Sequence, residues 1–157
     1  MFAEGTTVAA EKTRGEIERL LGKHGAEDFA YTTNAARAAI AFRMKGRSIR
    51  MIVPFPGRDE IQTAFKPKRY PYRLTEVQIL DRLDQVKRSR WRALLLTVKA
   101  KLEAIASGIV TFEHEFLAHT IVPGTGRTVA EEVADQLVAA YENPGAQRGL
   151  LLGMGDG

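Results

Sequence analysis

One stretch of the chain fits a β-hairpin so closely that it restricts the fold of everything around it. The sequence ARAAIAFRMKGRSIRMIVPFP contains Lys45–Gly46, a suitable two-residue turn because glycine tolerates a positive φ. Side chains alternate along a strand, so this turn fixes which residues share a face. Six apolar side chains then lie together as three cross-strand pairs: Phe42 with Ile49, Ile40 with Met51, and Ala38 with Val53. The agreement of both strands under one register predicts the core face of a sheet.

The opposite face of the same hairpin has a different composition. It receives small and basic side chains: Arg37, Ala39, Ala41, Arg43, Ser48, Arg50 and Ile52. Pro54 and Pro56 end the pairing, because proline cannot donate a hydrogen bond to a neighbouring strand. One face of the predicted sheet is therefore core, and the other is open and basic.

The flanking segments predict further elements. Thr13 and Glu16 form a capping-box pattern, so we expect a first helix over 11–24. Aromatic and β-branched residues over 29–33 indicate a third strand. After the hairpin, residues 57–74 have the composition of a loop.

A long helix follows this loop, starting at a second capping box formed by Thr75 and Gln78 and ending near Ser107. Its apolar stripe is interrupted at Lys87 and consists of Leu80, Leu83, Trp91, Leu94, Val98, Leu102 and Ile105. We expect Trp91 to be a core anchor rather than a surface for stacking bases.

The C-terminal third predicts smaller elements. A short helix begins at Thr111, and another begins at a third capping box, Thr128 with Glu131. This last helix carries an apolar stripe: Val129, Val133, Leu137, Val138 and Tyr141. The prediction is an α+β fold, a three-stranded antiparallel sheet with helices packed on one face, in the order α-β-β-β-α followed by smaller helices. We expect a single domain over 1–145 and a glycine-rich, mobile tail over 146–157.

Charge is distributed unevenly along the 157 residues. Residues 34–108 carry seventeen basic and six acidic side chains, a net charge of +11 in a chain whose total is +4. Residues 1–33 and 109–157 are both net acidic. Such asymmetry indicates either a polyanionic or acidic partner, or a basic face that the acidic ends balance within the fold.

The basic middle supplies the candidate binding residues. Cations can neutralise phosphates, and aromatic rings can stack on bases. From the predicted loop, sheet and long helix we select Arg37, Arg43, Arg50, Lys66, Lys68, Arg69, Tyr70, Tyr72, Arg73, Arg88 and Arg92. The alternative is that the two tyrosines only anchor the loop.

Other chemistry has little support in the sequence. Glu115 and His119 share a helix face as weak candidates for metal ligands, but a third ligand is not evident. There is no cysteine, no phosphate-binding GxxxxGK[ST] loop and no GxSxG motif. We therefore predict no catalytic residues and no cofactor.

Three segments of the chain resemble a family of small proteins encoded by bacteriophages and prophages. They are the hairpin, RWRALLLTVKAKLEAIASGIVTFEHEFLAHTIV and GRTVAEEV, and the likeness covers about residues 10–142. It implies action in the cytoplasm of an infected bacterium and brings no established activity. The element order is also similar to that of double-stranded RNA-binding domains, and its β-β-β-α part to the core of single-strand annealing proteins.

These observations predict a non-catalytic, phage-type accessory protein that binds nucleic acid mainly through phosphate contacts, with DNA favoured over RNA. The alternative is a protein-interaction module, an inhibitor or adaptor, that docks an acidic host protein. We expect no membrane partner, because no stretch approaches the length of a membrane span. Exposed strand edges and the long helix offer surfaces for self-association.

Overall fold

The computed structural model describes residues 2–64, 73–143 and 145, and it has the predicted α+β fold. The elements in chain order are α1 (Phe2–Lys23), β1 (Glu27–Thr33), β2 (Arg37–Met44), β3 (Arg47–Pro54), α2 (Arg58–Ala64), α3 (Glu76–Ala106), α4 (Phe112–Glu115), β4 (Ile121–Val122), β5 (Arg127–Thr128) and α5 (Val129–Glu142). A 3₁₀ turn, Leu117–His119, joins α4 to β4. The predicted mobile tail over 146–157 lies outside the described residues.

The hairpin is confirmed in its register. β2 and β3 pair as predicted, with Phe42 opposite Ile49 and Ile40 opposite Met51. Both turn residues have positive φ, 50° at Lys45 and 75° at Gly46, as a two-residue hairpin turn requires. β1 pairs with the free edge of β2, and the antiparallel sheet has the order β1-β2-β3.

The core lies between one face of this sheet and helices α1 and α3. Five of the six predicted hairpin residues are buried, and Val53 packs against them partly exposed. The helices contribute Ile17, Leu21, Trp91, Leu94, Val98 and Leu102. Phe112 and Phe116 also belong to the core, and Phe116 meets the Phe42 ring edge-on with 5.9 Å between the centroids. Trp91 is buried among these side chains, which confirms it as a core anchor.

The structure differs from the prediction in the start of the first helix and in a helix within the predicted loop. The first helix begins at Phe2 rather than near residue 11, so Thr13 is not its cap but a buried residue inside the helix. The loop over 57–74 contains α2, which the acidic residues Asp59 and Glu60 favour at its positive N-terminal end. Ile61 of α2 is buried with Leu74 and with Ile79 of α3 in a second, smaller cluster. A short helix anchored by one apolar residue gives almost no periodic signal in the sequence.

The later helices begin where predicted. Capping boxes are present at Thr75 with Gln78 and at Thr128 with Glu131. α3 is one uninterrupted helix of 31 residues, and Lys87, which breaks its apolar stripe, places its ammonium 5.5 Å from the centre of the Phe55 ring. α5 differs from expectation, because most of its apolar stripe is exposed rather than packed on the core.

Candidate functional site

The basic face of the sheet points away from the helices. Because side chains alternate along β2 and β3, Arg37, Arg43 and Arg50 lie on the face opposite the core. Arg37 is exposed, whereas Arg43 lies 3.4 Å from the Asp28 carboxylate at the start of β1. Asp28 adopts a positive φ of 55° at an irregularity in the pairing of β1 with β2. One of the three sheet arginines is therefore paired with a carboxylate from the acidic N-terminal part of the chain.

Arg50 is held more firmly than Arg43. Its guanidinium donates hydrogen bonds of 3.1 and 3.0 Å to the two carboxylate oxygens of Glu131, and one of 3.0 Å to the carbonyl of Gly126. The Thr128 backbone N–H and then the Arg50 guanidinium lower the pKa of Glu131 below its ordinary value. Arg50 thus links the outer face of the sheet to the start of α5, and its charge is neutralised by the acidic C-terminal part.

The predicted basic-aromatic loop is represented by a single described residue. Lys66, Lys68, Arg69, Tyr70 and Tyr72 lie outside the described residues. Arg73 is described and exposed, two residues before the cap of α3. The part of this prediction that can be placed is therefore the end of the loop.

Arg88 and Arg92 lie one turn apart on α3, and both are exposed. Arg92 lines a groove of about 390 Å³ between α1 and α3. We call this the basic groove, and its lining consists of Glu16, Arg19, Leu20 and Lys23 from α1 with Arg92, Leu95, Leu96 and Lys99 from α3. Arg88 lines the next depression along the same two helices. The sequence predicted Arg88 and Arg92 as binding residues but not the residues from α1, although Arg19 and Lys23 have helical spacing.

The cations of the basic groove are not neutralised within the described part of the chain. The ion pairs found there involve Arg43, Arg50, Arg58, Lys101 and Arg127, and none involves a groove residue. Four cations and the single carboxylate of Glu16 give the lining a net charge of +3. Three leucines lie among these charges, of which Leu96 has 59% of its surface exposed. The groove is therefore a basic rim around an apolar floor.

The predicted binding residues that the structure describes lie on more than one surface. The sheet arginines face away from α1 and α3, whereas Arg88 and Arg92 lie on those helices, so the sheet and its core separate the two sets. The sheet set has two of its three charges paired with carboxylates. The helix set has no ion pair with any described residue, which makes the basic groove the stronger candidate site.

The two suggested metal ligands, Glu115 and His119, both lie close to Lys101. The Lys101 ammonium lies 3.2 Å from a Glu115 carboxylate oxygen and donates a further hydrogen bond to the Glu115 carbonyl. Burial, and secondly the charge of Lys101, lowers the pKa of His119 below its ordinary value of 6.5. Within the described ranges, no group of three or more acidic or histidine side chains could hold a metal ion. Lys101 occupies the position beside Glu115 where a cation would be expected.

Comparison with known proteins gives no further assignment. The chain matches no family model, and neither a curated protein nor a solved structure matches it. The resemblance to phage-encoded proteins, and with it the bacterial host, remains a prediction. In the described part of the chain, no helix has the length and apolar character needed to cross a membrane. The strongest indication of function in the described part of the chain is therefore the basic groove.

Proposed function

We propose that this protein is an interaction module whose basic groove binds an acidic amphipathic helix of a protein partner. The observation that supports this most is the combination of unpaired cations with an apolar floor in one groove. This function corresponds to the predicted alternative, a protein-interaction module that docks an acidic protein, with the groove between α1 and α3 as its basic face.

The floor of the groove favours a partner with its own apolar surface. Leu20 and Leu95 are partly exposed, and Leu96 is mostly so. Covering apolar surface stabilises a complex by about 25 cal/mol for each Å² removed from water. A helix that presents a stripe of apolar residues every three or four positions can cover all three leucines at once.

The rim favours a partner whose flanks are acidic. Arg19 and Lys23 stand on one wall, and Arg92 and Lys99 stand on the other. Carboxylates beside the partner's apolar stripe would pair with them and accelerate encounter, an effect that falls as salt rises. The cations then set orientation and rate, and the leucines supply most of the affinity.

Nucleic acid is the second candidate, and the run of unpaired cations through Arg88, Arg92 and Lys99 favours it. A phosphate backbone would pair with these cations in a salt-dependent manner. It offers no apolar surface to cover Leu20 and Leu96, however. The two candidates therefore differ in whether the leucine floor contributes to binding.

Fluorescence anisotropy can distinguish them with two probes. The first is a labelled acidic peptide of about 18 residues with leucines at helical spacing, compared with a permuted peptide of equal composition. The second is a labelled oligothymidylate of about 20 nucleotides. Leu96→Ser removes part of the floor, and Leu80→Ser, at an exposed leucine of the same helix outside the groove, is the matched control.

We expect the amphipathic peptide to bind better than its permuted control. Leu96→Ser should weaken this binding about tenfold, equal to about 1.4 kcal/mol, whereas Leu80→Ser leaves it unchanged. If only the oligonucleotide binds, and Leu96→Ser has no effect on it, then the proposed function is wrong and the nucleic-acid candidate replaces it.

A further inference from the structure

Most of helix α5 is exposed beyond its first turn. Its first turn is fixed by the Thr128 cap and by the hydrogen bonds between Arg50 and Glu131. From Val133 to Asn143 every residue is exposed. The exposed residues include Leu137 and Val138, with 55% and 58% of their surface accessible. The last ten positions of this 14-residue helix are all exposed, so much of its apolar surface is accessible to a partner.

An exposed amphipathic helix of this kind is stabilised when a partner covers its apolar face. Helices shorter than about 12–15 residues are marginal in water, and in proteins their stability comes mainly from packing an amphipathic face. Val133, Leu137 and Val138 cover an arc of about 140° on α5 at helical spacing. An apolar arc of this width is typical of a helix face that is buried in a larger assembly.

The charges of α5 specify the chemistry of its partner. The helix contains four carboxylates and no basic side chain: Glu131, Glu132, Asp135 and Glu142. Helical spacing places Asp135 and Glu142 beside the Val138 edge of the apolar arc. A second α5 packed against this face would bring like charges together, which opposes an α5–α5 contact. The matching surface is apolar with a basic rim.

The basic groove has this composition. Its leucine floor and cationic walls complement the apolar arc and the acidic edge of α5. At 1.5 Å per residue the α3 wall of the groove runs about 10 Å from Arg92 to Lys99, and about 16 Å when the adjoining depression at Arg88 is included. The exposed part of α5 runs about 15 Å, which matches the groove and this depression together. Charge, apolar character and length therefore agree between two surfaces of the same chain.

The α5 helix cannot reach the groove of its own chain. Arg50 holds the start of α5 on the outer face of the sheet, and the groove is formed by the helices that cover the opposite face. We propose that the groove takes α5 of a second copy, so that the protein assembles head to tail. This inference rests on the proposed function and identifies the acidic amphipathic helix as α5. A contact of this type leaves one groove and one α5 free unless a ring closes.

Sedimentation velocity of the full chain, treated with nuclease and studied at several concentrations, tests the assembly. The groove variant is Arg92→Glu with Lys99→Glu, and the helix variant is Asp135→Lys with Glu142→Lys. All four residues are exposed, so the substitutions should leave the fold intact. The control is Arg37→Glu with Arg47→Glu, at exposed positions of β2 and β3. It changes the net charge by the same amount as the groove variant.

We expect the wild-type protein and the sheet control to associate. Each of the two variants should associate at least about tenfold more weakly when alone, and an equimolar mixture of them should regain association because the reversed charges match. Circular dichroism verifies that each variant is folded.

Two results would overturn the inference. A wild-type protein that stays monomeric up to about 500 μM excludes the assembly, and if the acidic peptide still binds with dependence on Leu96, the proposed function survives. Association that persists undiminished in the groove variant would instead assign the contact to α5 pairing or to another surface. If the wild-type protein neither assembles nor binds the acidic peptide, the two proposals are rejected together.

Discussion

The outer face of the sheet and the basic groove carry the same types of cation in opposite settings. On the sheet, Arg43 lies beside Asp28, and Arg50 is bound by both carboxylate oxygens of Glu131. In the groove, Arg92 and Lys99 have leucines between them and no ion pair within the described residues. Arg50 therefore contributes to holding the molecule together and Arg43 already has a carboxylate partner, whereas the groove cations remain available to a ligand.

This contrast separates two meanings of a basic sequence. A net charge of +11 over residues 34–108 indicates a partner only if the acidic ends of the chain do not supply the counter-charges. For the sheet they do, through Asp28 and Glu131. In the groove, Glu16 lies in the lining, but no described carboxylate forms an ion pair with the cations, and the apolar floor adds a second requirement on the ligand.

The largest effect should come from the packing that keeps the two faces on opposite sides of one body. Phe116 is fully buried and contacts Phe42 from the sheet and Phe112 from α4. Phe116→Ala should lower the free energy of unfolding by about 3–5 kcal/mol because it leaves a cavity. Urea denaturation measures this, with the exposed Leu117→Ala as the adjacent control. Equal effects of the two substitutions would contradict the assignment of the core.

A smaller effect should distinguish the two sheet ion pairs. Arg50→Ala removes three hydrogen bonds at the start of α5 and should lower the melting temperature by about 3–6 °C. Arg43→Ala breaks a pair whose side chains are 58% and 63% exposed, so the melting temperature should change by less than about 1 °C. Differential scanning calorimetry compares them. If Arg43→Ala proved the more damaging, the sheet cations would not act as described here.

The smallest effect should be a pH dependence of stability due to His119. Burial first, and the Lys101 charge second, lower its pKa below 6.5, while Glu115 acts in the opposite direction. The folded state then binds a proton less readily than the unfolded state. The contribution of His119 to stability is complete above pH 6.5 and is lost as the pH falls through the lowered pKa.

Replacing the ring tests this sign. Urea midpoints of the wild type should fall between about pH 7.5 and pH 5, and His119→Gln should flatten that slope. His114→Gln, at an exposed histidine five positions earlier, should leave the slope unchanged. A wild-type midpoint that rises on acidification would reverse the assignment.

Local patterns in the sequence predicted the centre of the fold. The alternation of apolar residues on both sides of Lys45–Gly46 gave the register of β2 with β3, and the stripe of α3 identified Trp91 as core. α2 was missed because a short helix anchored by Ile61 has no repeating pattern. The start of α1 was misplaced because Thr13, which has the pattern of a cap, is buried within the helix.

The candidate site was predicted only in part, because its contacts join residues that are far apart in the sequence. The exposure of Arg88 and Arg92 follows from the stripe of α3. The pairing of Arg50 with Glu131 joins residues 81 positions apart, and no local pattern indicates it. The basic groove likewise joins α1 to α3, so its leucine floor appears only when the two helices are packed together.

The position of the binding surface can be measured by recording which methyl groups respond to the acidic amphipathic peptide. In a methyl NMR titration of the full chain, Leu20, Leu95 and Leu96 report on the groove, and the exposed Ile52 reports on the outer face of the sheet. We expect the three leucine signals to shift with a common saturation curve while Ile52 stays unchanged. A shift of Ile52 without any shift of the groove leucines would place binding on the sheet and show that the groove is not the binding site.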